Sequence, residues 1–172
     1  LVGSEMCIRD SSFSLSSFRS PYLLPLVLPA FRRKYPNIEV SIAEAHMAKQ
    51  ERLLTEGHVD VAFLSLPLGN KDIPYLKVIE EEIFLAAPAD HPIFLAAHRD
   101  PSDGHAWIDF ETMNGQEFLL YSINHRLSMF SDQIFADYHI TPKVNQTHDS
   151  FETLIRLTEA GMGLTFIPET YI

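Results

Sequence analysis

Between residues 13 and 64 the spacing of apolar residues switches repeatedly between a period of two and a period near 3.6. Period two lines one face of a strand and period 3.6 lines one stripe of a helix, so the segment has to be built from alternating elements. Residues 13–18 (FSLSSF) predict a short strand. Leu24, Val27, Leu28 and Phe31 then recur at helical spacing, with Ser20 the predicted N-cap and Pro21 the first helical residue. Arg32, Arg33 and Lys34 suit the carboxyl end of that helix, Pro36-Asn37 stops it, and Pro29 is predicted to kink it. Residues 38–44 predict a strand with Ile38, Val40 and Ile42 on one face. Residues 48–56 predict a helix with Leu53 and Leu54 inward and Gly57 at its end, and residues 59–64 a buried parallel strand. The order β-α-β-α-β implies a parallel sheet with right-handed crossovers.

The second half repeats this rhythm. Residues 75–88 read as one extended stretch ended by Asp90-His91-Pro92, and residues 97–106 as a polar surface loop. A short helix is predicted over 108–113 and a buried strand over 118–121. A helix over 127–138 is predicted to turn Met129 or Phe130, Ile134 and Phe135 inward. A strand over 142–147, a helix over 149–160 opened by Asp149 or Ser150, and a strand over 164–167 follow. Two such units predict two lobes, with ligands expected outside the carboxyl ends of the strands, where helix N-termini also point.

Composition narrows the function. The 172 residues carry 13 Lys and Arg against 23 Asp and Glu, a formal charge of −10, which disfavours direct contact with a phosphate backbone. The longest apolar patch, residues 22–31, is too short to span a bilayer. Cys7 is the single cysteine, so neither an internal disulfide nor a thiolate metal site is expected. The eight histidines form no HExxH, and no GxSxG, P-loop or GxGxxG occurs, so no motif supports an enzyme, a metal or a cofactor. Gly161-Met162-Gly163 reads as a helix stop rather than a phosphate cradle. Residues 1–10 show no regular period and end abruptly before the first strand, while the chain closes directly after a strand-like run. The expectation is a fragment at both ends.

The strand-to-helix turns are the remaining candidates. At residues 16–20, backbone N–H groups, serine hydroxyls and the Arg19 guanidinium are expected to converge on an anion. The other turns are 45–47, 65–66, 122–125 and 147–148.

Ser20-Pro21-Tyr22-Leu23-Leu24-Pro25, Phe31, Tyr35-Pro36, Glu44, Leu53-Leu54, Glu56-Gly57 and Val59-Asp60-Val61-Ala62 follow one another in a telling order. Asp90-His91-Pro92 and residues 160–168 (AGMGLTFIP) continue it. The ordered set resembles the effector-binding, or substrate-binding, domain of LysR-type transcriptional regulators over residues 13–172. The resemblance implies an α/β periplasmic-binding-protein type 2 fold, with two Rossmann-like lobes and a ligand cleft between them. It implies lobe I over 13–87, lobe II over 88–164, a truncated return crossover to lobe I over 165–172, and a tail outside the pattern over 1–12. It further implies a small, often carboxylate effector, a cytoplasmic homodimer or homotetramer, no membrane, no catalysis, and DNA contact only through an N-terminal domain absent from this sequence.

On that reading the effector residues are Ser17, Phe18, Arg19, Ser20, His46, Met47, Ser65, Ser122, Ile123, Asn124 and Thr147. Arg19 pairs a carboxylate, serines and backbone amides orient it, and Phe18 with Ile123 packs its apolar part. Phe18 and Met47 depart from the family, which often places small polar residues there. An exported solute-binding protein on the same fold is the alternative, and an enzyme on that scaffold a third.

Overall fold

Residues 10–99, 101–102, 104–122 and 125–171 are described by the computed structural model, and the chain divides into two units, Leu1–Val78 and Ile79–Ile172. In the first, β1 (Ser11–Leu15) is the middle strand of a parallel sheet in the order β2-β1-β3, with β2 at Val40–Glu44 and β3 at Val61–Ala62. Leu15 pairs with Glu44 and Ser14 with Ala62, so the three strands end on one side. The first strand begins earlier than its period predicts and stops at Leu15. The next residues instead form a tight turn, in which the N–H groups of Arg19 and Ser20 both donate to the Ser16 carbonyl (2.9 and 3.0 Å). The third strand is shorter than its apolar run. Beyond Val61–Ala62 only single bonds continue it, from Asp60 N to Ser12 O (2.9 Å) and from Phe63 N to Ser14 O (2.7 Å). Val61 lies on the sheet edge and is exposed, so an apolar run did not here mean a buried strand.

Helix α1 (Ser20–Lys34) runs unbroken through Pro25 and Pro29. Pro21, Pro25 and Pro29 recur every four residues along one exposed ridge, so the residues whose carbonyls lose an intrahelical donor to Pro25 and Pro29 are themselves exposed. Val27, predicted inward, is exposed along with Leu26, and Ser20 is the only buried residue of the helix. Helix α2 (Met47–Thr55) ends as predicted. Gly57 takes a positive φ of 73°, and His58 N reaches back to Leu53 O at 2.8 Å.

In the second unit, β4 (Ile83–Ala86) pairs antiparallel with β9 (Thr165–Pro168). Only these four residues of the extended 75–88 stretch form a strand. The predicted loop is flanked by a two-stranded pair, β5 (His98–Arg99) and β6 (Ala106–Trp107). Its strand residues are polar or exposed, so the hydrophobic pattern carried no sign of them. Strands β7 (Glu117–Tyr121) and β8 (Lys143–His148) run parallel, and Phe118 bridges Leu164 on the other side. Helix α3 spans Arg126–Asp137 and α4 spans Phe151–Glu159.

The core of this unit sits on β7, where Phe118, Leu119, Leu120 and Tyr121 are all buried, as a strand covered on both faces requires. Phe118 meets Phe135 edge-on at 5.1 Å and Phe166 at 5.7 Å. The buried residues of α3 are Leu127, Ser128, Ser131 and Phe135, and Met129 is exposed. The inward stripe thus accepts two serines; Ser131 satisfies its hydroxyl on the Leu127 carbonyl at 2.8 Å.

Candidate functional site at the strand carboxyl ends

The first unit gathers seven of the predicted residues at one end of its sheet, because three parallel strands finish there together. Ser17, exposed, and Phe18, buried, occupy the turn after β1. Arg19 follows, its guanidinium 5.8 Å from the centre of the Phe63 ring just beyond β3. Ser20 is 4 % exposed and donates its hydroxyl hydrogen bond to Glu44 at the end of β2. His46 and Met47 open α2, and half-buried Ser65 follows β3. The first turn of α1 is thus tied to the ends of both neighbouring strands, through Ser20–Glu44 and Arg19–Phe63.

Two expectations need correction here. Ser20 does not cap α1. Arg19 holds the N-cap position without a side-chain bond, and the Ser20 hydroxyl is drawn instead to a carboxylate 24 residues away. Nor does α1 offer its backbone N–H groups to an anion. Those of Arg19 and Ser20 are taken by Ser16 O, those of Tyr22 and Leu23 by Arg19 O, and Pro21 has none.

A residue that the sequence reading passed over shapes the neighbouring loop. The Glu51 carboxylate on α2 accepts hydrogen bonds from Gly69 N (2.8 Å) and Asn70 N (3.0 Å), pinning the chain that leaves Ser65. A Cβ at Gly69 would stand 3.0 Å from that carboxylate, which would have to shift to admit it. No local signal in the sequence marks this pairing.

In the second unit, Ser122 N donates to His148 O (3.0 Å), which brings Ser122 beside exposed Thr147 at the ends of β7 and β8. Ile123 and Asn124 lie outside the described residues. The Tyr121 hydroxyl donates to Asp149 O at 2.7 Å, and burial, with the Asp149 charge second, raises its pKa above the ordinary phenol value. His125 stacks on the Tyr121 ring at 3.9 Å and accepts from Leu127 N at its Nδ1 (3.3 Å), capping α3. Of the two predicted openers, Asp149 and Ser150, it is Ser150 that caps α4, through a bond from Thr153 N (3.3 Å).

Among the described residues no cluster of His, Cys, Asp or Glu could hold a metal ion, and no helix is long and apolar enough to cross a membrane. What the strand ends supply is a cation, hydroxyls and helix starts: chemistry for holding a small polar molecule.

Parallel strands with helix starts and polar turns gathered at their carboxyl ends define a ligand-binding α/β protein. Residues 12–172 match the family described as the LysR substrate binding domain, and the chain belongs to that family. It is 26% identical over 147 residues to the uncharacterized HTH-type transcriptional regulator YybE of Bacillus subtilis (strain 168), covering 86% of this chain and 47% of that protein. It is 29% identical over 157 residues to the hydrogen peroxide-inducible genes activator of Dickeya chrysanthemi, covering 86% and 46%. The chain spans about half the length of these curated relatives. Its fold is that of the CcmR regulatory domain of Synechocystis PCC6803 in complex with 2-PG (TM-score 0.80, 18% identity, 94% of this chain and 73% of that one). It is equally that of the BenM effector binding domain with its effector benzoate (TM-score 0.78, 22% identity, 94% and 71%).

Proposed function

We propose that this chain senses a small anionic metabolite at its strand carboxyl ends, and that the binding controls how the whole regulator engages DNA. One observation carries the reading: the shared end of β1, β2 and β3, where Arg19, an uncapped α2 and the hydroxyls of Ser17 and Ser65 stand together. Arg19 pairs the anion, and Met47 at the start of α2 brings apolar surface where the family often places a small polar residue. The effector must favour one arrangement of the regulator over another, because tight but equal binding shifts nothing. The whole protein acts in the cytoplasm as a homodimer or homotetramer, with DNA contacted outside this acidic domain.

Calorimetric titration of the purified protein with a panel of small carboxylates, including benzoate and shikimate, tests the reading. At least one should bind, and Arg19→Ala should weaken it by about 1.5–3 kcal/mol, the worth of a charge-assisted hydrogen bond. An unchanged affinity removes Arg19 from the site, and a panel without a binder removes the carboxylate reading.

A further inference from the structure

The four α-helices do not begin alike. α3 is capped by His125 and α4 by Ser150, with Glu152 in the first turn of α4. α1 has its N–H groups satisfied by the turn that precedes it. α2 has none of these devices: His46 makes no side-chain cap, and no acidic residue stands in its first turn. Gln50 N donates to His46 O (2.9 Å), but among the described residues the N–H groups of Met47, Ala48 and Lys49 have no acceptor. Such a start carries partial positive charge and unsatisfied donors.

A second observation falls on the same turn. Gln50 is 2 % exposed, the only buried residue of α2, and its Nε2 is fully buried without a hydrogen-bond partner among the described residues. A buried amide left unpaired is costly, and a helix bears many better-suited residues for a buried position. Helical side chains lean toward the N-terminus, so the Gln50 amide tilts back toward the helix start, on the sheet side, where β1 and β3 pack against α2. The uncapped N–H groups and the orphaned amide thus belong to one and the same turn of α2, which follows the carboxyl end of β2.

We infer that Gln50 is a further specificity-determining residue: its amide, with the uncapped start of α2, receives an acceptor oxygen of the effector, a carboxylate oxygen first among them. The inference rests on the sensor reading above and adds a residue to it. Ser20 cannot supply this donor, because its hydroxyl is committed to Glu44. Gln50 would tell an effector with an acceptor at this point from an isostere without one, because a mismatched ligand leaves the buried amide unpaired.

The test uses Gln50→Leu and Gln50→Met, apolar replacements of similar length, in the purified protein. Without ligand, thermal denaturation should show both variants stabilised by roughly 2–6 °C, since each removes a buried unpaired amide. A lower midpoint in both would mean that the amide has an internal partner, and would overturn the inference. The carboxylate panel is then titrated into the wild type and both variants. Binding to the wild type should weaken by roughly 10- to 100-fold in the variants. Equal binding to all three would sink the Gln50 assignment and leave the sensor reading standing. No binding to the wild type would bring down the carboxylate reading and this inference with it.

Discussion

Gly163→Ala tests the packing of the second unit at a single atom. Gly163 has φ +147°, outside the range where alanine rests without strain. An added Cβ would lie 2.7 Å from the Glu117 carbonyl oxygen and 3.1 Å from its carbon. Those are backbone atoms of β7 and cannot swing aside. The same carbonyl accepts Leu164 N at 2.8 Å, and Leu119 N donates to Leu164 O at 2.9 Å, so relief of the clash stretches the junction of β7 with Leu164. The strained φ costs about 1–2 kcal/mol and two weakened hydrogen bonds about 1 kcal/mol each, for a total of about 3–4 kcal/mol.

Gly161→Ala supplies the control. Its φ is also positive, +88°, but nothing lies within 4 Å of the added Cβ, so only the conformational cost of about 1 kcal/mol applies. Urea denaturation at neutral pH measures both, with equal slopes needed for the comparison. Gly163→Ala should lose about 2–3 kcal/mol more than Gly161→Ala. Losses equal within about 0.5 kcal/mol would mean that the Glu117 carbonyl gives way at little cost, and the steric reasoning would be wrong.

Two further outcomes follow from local chemistry. Asp60 accepts from both Ser12 N (2.8 Å) and Ser12 Oγ (2.7 Å), and these bonds hold its carboxyl below the usual value. A depressed folded-state pKa contributes stability above the unfolded value of about 3.9, lost as pH falls through the folded one. Asp60→Asn should therefore flatten the acid limb of a urea-midpoint profile taken between about pH 2 and 5, and parallel profiles for variant and wild type would refute the assignment. His139, at φ +54°, is the one non-glycine residue with positive φ among those described, and it follows the end of α3. His139→Gly should raise stability by about 1 kcal/mol in the same denaturation assay, and a loss would show that the imidazole makes a contact worth more than the strain.

How much of this was legible depended on whether a residue's role was decided by its neighbours in sequence. Residues 118–121 read as a buried strand because four consecutive apolar side chains have no other economical home, and all four are buried. Gly57 and Ser150 act within a few residues of themselves and are found at their predicted tasks. Ser20 was misread because its hydroxyl chose between a local N–H group and the distant Glu44 carboxylate, and the pattern held only the local option. Val27 fits an inward stripe by period, yet a stripe does not say whether anything lies against it. At the candidate site, the strand ends were predictable from parallel topology, which places Ser17 to Ser20, His46, Met47 and Ser65 at one end. Gln50 was invisible because a glutamine in a helix flanked by Lys49 and Glu51 reads as surface.

The start of α2 then bears on where we propose the site to lie. A missing N-cap forgoes roughly 0.5–2 kcal/mol, and an unpaired buried amide about 1–3 kcal/mol more. The same chain caps α4 with Ser150, so a suitable side chain was within its means. Both deficits fall in one turn of α2, and an acceptor group bound there, as proposed, would relieve them. Whatever binds the folded form at that point gains what the apo protein lacks, and by mass action stabilises it in proportion to its concentration over its dissociation constant. Stability withheld from a site in this way becomes binding free energy for a ligand that completes it, which is the thermodynamic requirement on a sensor whose state must depend on the ligand's presence.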